Sequence, residues 1–261
     1  MKAHRVLILI LPLLLTACAQ NLPQTTTLRS DDSSVMESVN SRARIHTELA
    51  SLYYARQQYS VALQEIRQAL QADSSYAPAY MMLGLVHEAL LEYKDADDSF
   101  RRSLDLAPQY SEAHNNYGLF LCNQKRYDEA MSQFEMAWKN PLYETPEKAY
   151  ANAGQCALRM GDLAKAENYT RRALIRAPNQ TQALLTLAEI QYRQGQMALA
   201  HSTLRQVGTP SALDAASLWL GVKVEHKLGN RAAEAEYAAQ LHSRYPESQE
   251  YTWMQKGQFD R

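Results

Sequence analysis

The residue types that could carry chemistry are thinly spread along this chain of 261 residues. Its seven histidines are His4, His46, His87, His114, His201, His226 and His242. No two of them stand at metal-ligand spacing with a carboxylate between, so no metal site is read from them. The glycines are dispersed, which leaves no loop able to cradle a phosphate. Serine is frequent, but no Gly-x-Ser-x-Gly elbow holds a nucleophile. Cys18, Cys122 and Cys156 are the three thiols. No catalytic set assembles from these residues. The expectation is a non-enzymatic protein with no cofactor, no metal and no small-molecule substrate.

The bulk composition describes what positions these residues. Lys and Arg number 27 against 28 Asp and Glu, a net charge of −1. Without an excess of positive charge to follow a phosphate backbone, nucleic acid is not an expected partner. The 46% of hydrophobic residues is enough to bury a core. Only 9 Gly and 9 Pro argue against an all-β chain full of tight turns. Ala, Leu, Gln, Glu and Arg are plentiful, and these are helix formers.

The N-terminus is set apart. Lys2, His4 and Arg5 precede an apolar run from Val6 to Leu15, interrupted only by Pro12. Ten residues make about 15 Å of helix, half of a bilayer core, so the run reads as a signal peptide and not as a membrane span. Leu15-Thr16-Ala17-Cys18 resembles the lipobox of bacterial lipoproteins. That resemblance implies cleavage after residue 17 and acylation of Cys18, and multiple acyl chains anchor stably. It also implies, from Ala19 in place of an Asp, the periplasmic leaflet of the outer membrane. Residues 19–40 lack helical periodicity and are rich in Ser, Thr, Gln, Asn and Asp, so 18–40 reads as the lipidated cysteine and a flexible linker.

A 34-residue period fills the remainder. Tyr59, Tyr93 and Tyr127 recur at that spacing, as do Ala62, Ala96 and Ala130. Ala166 then follows after 36 and Ala200 after 34. Gly84, Gly118 and Gly154 show the same two-residue slip, which falls in the segment from Asn140 to Pro146. The period and residue types resemble the tetratricopeptide repeat. The second repeat shows the pattern best, in Tyr80, Leu83-Gly84, Tyr93, Ala96, Phe100 and Pro108. Small residues let the two helices of a repeat approach, aromatics fill the space beside them, and proline ends the second helix. The expected fold is all-α, a superhelix (α-solenoid) of six helix-turn-helix repeats over 41–248. They fall at about 43–76, 77–110, 111–144, 147–180, 181–214 and 215–248, the last with its register open by one residue. Tyr251, Trp253, Met254 and Phe259 lie in a capping tail, 249–261. One repeat cannot bury its apolar face alone, but a stack can.

Within this frame His46 and His114 take a packing position. Cys122 falls at position 12 of the third repeat and Cys156 at position 10 of the fourth. Positions two apart on a helix differ by about 200° in direction, which favours two free thiols over a bridge. First helices line the concave side, and the candidate partner-binding groove there comprises Tyr54, Met81, Leu85, Asn115, Leu119 and Tyr192. Met81, Leu85 and Leu119 give it an apolar middle suited to a helix or extended segment. The alternative for each of these side chains is packing within the superhelix.

A narrower resemblance lies in the third repeat. His114-Asn115-Asn116-Tyr117-Gly118-Leu119-Phe120-Leu121-Cys122, followed by Gln124-Lys125-Arg126-Tyr127-Asp128-Glu129-Ala130, resembles the type IV pilus biogenesis lipoproteins of the PilF/PilW kind. The loop with Leu142-Tyr143 and Pro146 is similar, as are Ser217-Leu218-Trp219-Leu220-Gly221 and Leu241-His242-Ser243-Arg244-Tyr245-Pro246. The resemblance implies a pilotin: a monomeric outer-membrane lipoprotein that binds secretin subunits of the pilus pore and promotes their localisation and multimerisation. The competing expectation is a generic periplasmic repeat scaffold for envelope or peptidoglycan machinery.

Overall fold

A computed structural model describes residues 29–208 and 213–260, with side chains from residue 41 onward. The expectations for the signal segment, for Cys18 and for residues 19–28 lie outside the described residues. The chain divides into two compact units, residues 1–38 and 39–261. The first contains the start of helix α1, Arg29–Ala55. Residues 29–40 correct the linker reading: they are helical and not aperiodic coil. That stretch contains neither glycine nor proline, so no breaker separates it from the first repeat.

Among the described residues every regular element is an α-helix. In the second unit they pair as six hairpins. Helix α1 pairs with α2 (Tyr59–Ala72), α3 (Ala77–Ala89) with α4 (Tyr93–Leu106), and α5 (Ser111–Asn123) with α6 (Tyr127–Lys139). Helix α7 (Pro146–Met160) pairs with α8 (Leu163–Arg176), α9 (Thr181–Arg193) with α10 (Met197–Val207), and α11 (Ala215–Leu228) with α12 (Arg231–Arg244). A short helix, α13 (Gln249–Gln255), packs on α11 and α12 and closes the stack.

Close approach within each pair follows from residue size. A Cβ on Gly84 would come 2.9 Å from the Phe100 ring, and one on Gly118 2.7 Å from Phe134. The partner lies sixteen residues on in both cases. The same offset joins Gly221 to Tyr237, at 2.5 Å. Ala50 with Ile66 and Ala188 with Leu204 are buried together at the corresponding places. Gly221 follows Ala188 by 33 residues and not 34, so the sixth repeat packs one residue early.

The turn inside each repeat is a helix C-cap of constant form. One amide just past the helix bonds five residues back across its end: Gln58 to Tyr53, Glu92 to His87, Arg126 to Leu121, Asp162 to Ala157, Gln196 to Gln191 and Asn230 to Glu225. This Schellman geometry requires a left-handed residue just before that amide. Gln57, Leu91 and Lys125 supply it in the first three repeats, and Gly161, Gly195 and Gly229 in the last three. Between repeats the chain needs four residues at 73–76, 107–110 and 177–180, but six at 140–145. The two-residue slip in the period is therefore this loop, held by Asn140 Nδ2, which donates to the Gln109 carbonyl and to Ser111 Oγ at 3.0 Å each.

Candidate functional site

The first helices of successive repeats lie side by side, and their inner side chains bond to one another across the stack. Asn123 Nδ2 donates to Glu88 Oε1 (2.9 Å), and Arg159 Nη1 donates to Asn123 Oδ1 (2.6 Å). Asn152 Nδ2 donates to Asn115 Oδ1 (3.0 Å), while Gln182 Nε2 donates to Asn152 and to Gln155. Burial raises the Glu88 carboxyl, and the Asn123 bond offsets part of that rise. Burial also raises the Tyr54 hydroxyl, with a smaller contribution from the Glu88 charge.

This ladder decides where the candidate groove residues stand. Asn115 is buried and spent on Asn152, and Met81 is buried with its sulfur 3.2 Å from Asn116 Nδ2. Tyr54, Leu85 and Leu119 are half-buried against one core cluster that runs through the first four repeats. Tyr192 is elsewhere: its hydroxyl reaches the Phe259 carbonyl at 3.4 Å, and the Lys223 ammonium lies 4.7 Å from its ring centre. Tyr54, Leu85 and Leu119 thus pack on the same core cluster, while Tyr192 lies beside the C-terminal tail.

Cys122 and Cys156 require a correction. They form a disulfide between α5 and α7, with Cα atoms 5.8 Å apart. The free-thiol reading compared the two positions as if contact needed equivalent faces. Neighbouring parallel helices in a stack meet through opposite faces, one looking forward and the next looking back. A difference of about 200° is then the condition for meeting.

His114 is buried, with Nδ1 2.7 Å from Gln133 Oε1 and Nε2 3.0 Å from the Pro108 carbonyl, which is a packing role. His87, Glu92 and Asp95 bring possible metal-ligand atoms within 4.8 Å of one another on the turn between α3 and α4. Histidine spacing could not find that set, because the turn and not one helix face brings it together.

A pocket of about 700 Å³ opens on the concave side near the C-terminal end, walled by α7, α9, α11 and α13. Leu158, Leu185, Trp219, Leu220 and Trp253 line it, with Glu189, Asp214, Lys223 and Glu250 among its polar groups. Leu185 and Glu189 stand on α9, a first helix, and the sequence expects first helices to line the concave side. The walls from the sixth repeat and α13 are not legible in the sequence, since that repeat breaks register by one residue.

These features define a tetratricopeptide-repeat protein. The chain matches the tetratricopeptide-repeat family over residues 47–111, 99–131 and 152–212. It belongs to the family of the type IV pilus assembly protein PilF of Pseudomonas aeruginosa. To that protein it is 31% identical over 206 residues, 79% of this chain and 82% of the relative. The crystal structure of PilW, a widely conserved type IV pilus biogenesis factor, superposes with a TM-score of 0.72 at 33% identity. The alignment covers 82% of this chain and 98% of PilW. The P. aeruginosa PilF structure gives 0.73 at 29% identity, covering 84% and 99%.

Proposed function

We propose that this protein is an outer-membrane lipoprotein that binds type IV pilus secretin subunits and promotes their localisation and multimerisation. The observation that carries the reading is likeness to PilF and PilW at 31–33% identity over about four fifths of the chain. The lipobox Leu15-Thr16-Ala17-Cys18 supports a lipid anchor at the periplasmic leaflet. The half-buried Tyr54, Leu85 and Leu119 support a protein partner, and a stack of repeats supports a scaffold without catalysis.

The test complements a deletion strain with three alleles and measures surface pili, secretin multimers and membrane fractionation. Wild type should restore all three. Cys18→Ser lacks the thiol that the lipid requires, so it should leave the outer membrane and reduce secretin multimers there. Leu85→Glu with Leu119→Glu sets two carboxylates against an apolar partner, which costs several kcal/mol. That allele should keep its membrane position and helical circular dichroism while losing secretin capture. Normal pili and secretin multimers in the deletion strain itself would sink the reading in favour of a general envelope scaffold.

A further inference from the structure

We propose that the pocket between α9, α11 and α13 is a second docking site, for a protein segment carrying a large apolar side chain flanked by Lys or Arg. It lies apart from Tyr54, Leu85 and Leu119 and is built by the last two repeats and the tail. Its volume of about 700 Å³ falls inside the range of roughly 300–1,000 Å³ typical of ligand clefts. Its apolar lining is formed by Leu158, Leu185 and Leu220 with the rings of Trp219 and Trp253. Trp219 is almost fully buried and fixed in the core of the sixth repeat, so that wall is preformed. Rigid aromatic walls around an apolar slot suit one large anchor side chain.

The polar groups select the neighbours of that anchor. Among the described lining residues Glu189, Asp214 and Glu250 are carboxylates and Lys223 is a cation, while Arg244 Nη1 donates to the Leu213 carbonyl in the wall at 2.8 Å. The Lys223 ammonium is already engaged with the Tyr192 ring, and burial lowers its pKa. Glu189 is partly offset by Arg193 Nε at 2.6 Å. Asp214 Oδ1 accepts the Ser217 amide at the start of α11, which does not cancel its charge. Carboxylates therefore outnumber cations among the described lining residues, with Asp214 and Glu250 outside the Arg193 pair, and a cation beside the anchor complements them. The same carboxylates reject a segment with acidic flanks.

The inference does not depend on the pilus reading, and its test contains no secretin. The probes are two fluorescein-labelled hexapeptides, Ser-Lys-Leu-Phe-Lys-Ser and Ser-Glu-Leu-Phe-Glu-Ser, titrated with the full chain carrying Cys18→Ser. Anisotropy should show saturable binding of the lysine peptide and much weaker binding of the glutamate peptide. Glu250→Lys should weaken the first about fivefold and tighten the second by a similar factor, as one charge at a half-exposed rim does. Trp253→Ala, on the terminal helix, should weaken both while the helical content of the repeats stays unchanged. Equal affinity for the two peptides, or no response to Glu250→Lys, would overturn the proposal. So would a concentration-dependent dimer abolished by Glu250→Lys, because the pocket would then hold a second copy of the chain.

Discussion

Asp97 accepts from three cationic or hydroxylic donors, two of which tie the second repeat to the third. Arg126 Nη1 and Tyr117 Oη donate to its Oδ1 at 2.6 and 2.9 Å, and Arg101 Nε donates to Oδ2 at 2.6 Å. Burial alone would raise the carboxyl. The bonds from Arg126 and Tyr117 and the charges of Arg101 and Arg126 outweigh it and hold Asp97 below its ordinary value of 3.8. A carboxyl whose folded value is depressed stabilises the fold above its unfolded value, and that contribution fades as pH falls through the folded one. Asp97→Asn should therefore lower stability at pH 7 by about 1.5–3 kcal/mol, the range for hydrogen bonds to charged groups. Urea denaturation should show the gap between variant and wild type shrinking once pH drops below 3.8. A gap that persists undiminished in strong acid would mean that shape, and not charge, is what Asp97 contributes. None of this was legible in the sequence. Asp97 sits at an unremarkable helix position, and its partners, at Tyr117 and Arg126, come from the next repeat.

The elements themselves were legible because helix period, small residues and turn residues agree at each repeat. The small positions at Gly84, Gly118 and Gly154 predict the close helix pairs, and the slip at 140–146 predicts the longer loop. The identical form of the six turns was not legible, since three of them place an ordinary residue where glycine is favoured. Leu91 holds φ +64° and is 69% exposed, so it endures a left-handed backbone while burying little. The left-handed region costs a non-glycine residue about 1–2 kcal/mol. Glycine gives back roughly 0.5–1 kcal/mol through the greater freedom of the unfolded chain. Leu91→Gly should then raise stability by about 0.5–1 kcal/mol, read as a higher thermal midpoint. The converse change at the matching turn, Gly161→Ala, meets no atom within 4 Å of the new Cβ, so its penalty is conformational alone. It should cost about 1 kcal/mol. If Leu91→Gly destabilises, the turn is held by packing of the Leu91 side chain and not limited by its backbone.

At the scale of the whole repeat array the question is how far the stack behaves as one body across the six-residue loop at 140–145. Repeats contact only their neighbours, so an irregular junction is where such an array divides. Among the features that cross this one are the Cys122–Cys156 disulfide, the bonds from Asn152 to Asn115 and from Arg159 to Asn123, and the packing of Trp138 on Tyr150 at 4.7 Å and on Tyr169 at 5.4 Å. The sequence showed the break in period but not what bridges it, because each bridge joins opposite faces of non-equivalent positions. The disulfide closes a loop of sequence separation 34. In the chain-entropy account that is worth about 4 kcal/mol. Replacing both cysteines by alanine should lower stability by about 3–4 kcal/mol and also change the shape of unfolding. Trp138 reports the junction, while Trp219 and Trp253 report the last repeat and the tail. In a Trp138→Phe background, fluorescence follows only the C-terminal end, whereas circular dichroism follows every helix. With the disulfide intact the two signals should coincide in urea. Without it they should separate into two transitions, and proteolysis at 140–145 should accelerate. Coincident transitions in the cysteine-free protein would show that the asparagine ladder and the helix packing already couple the two halves without the covalent link.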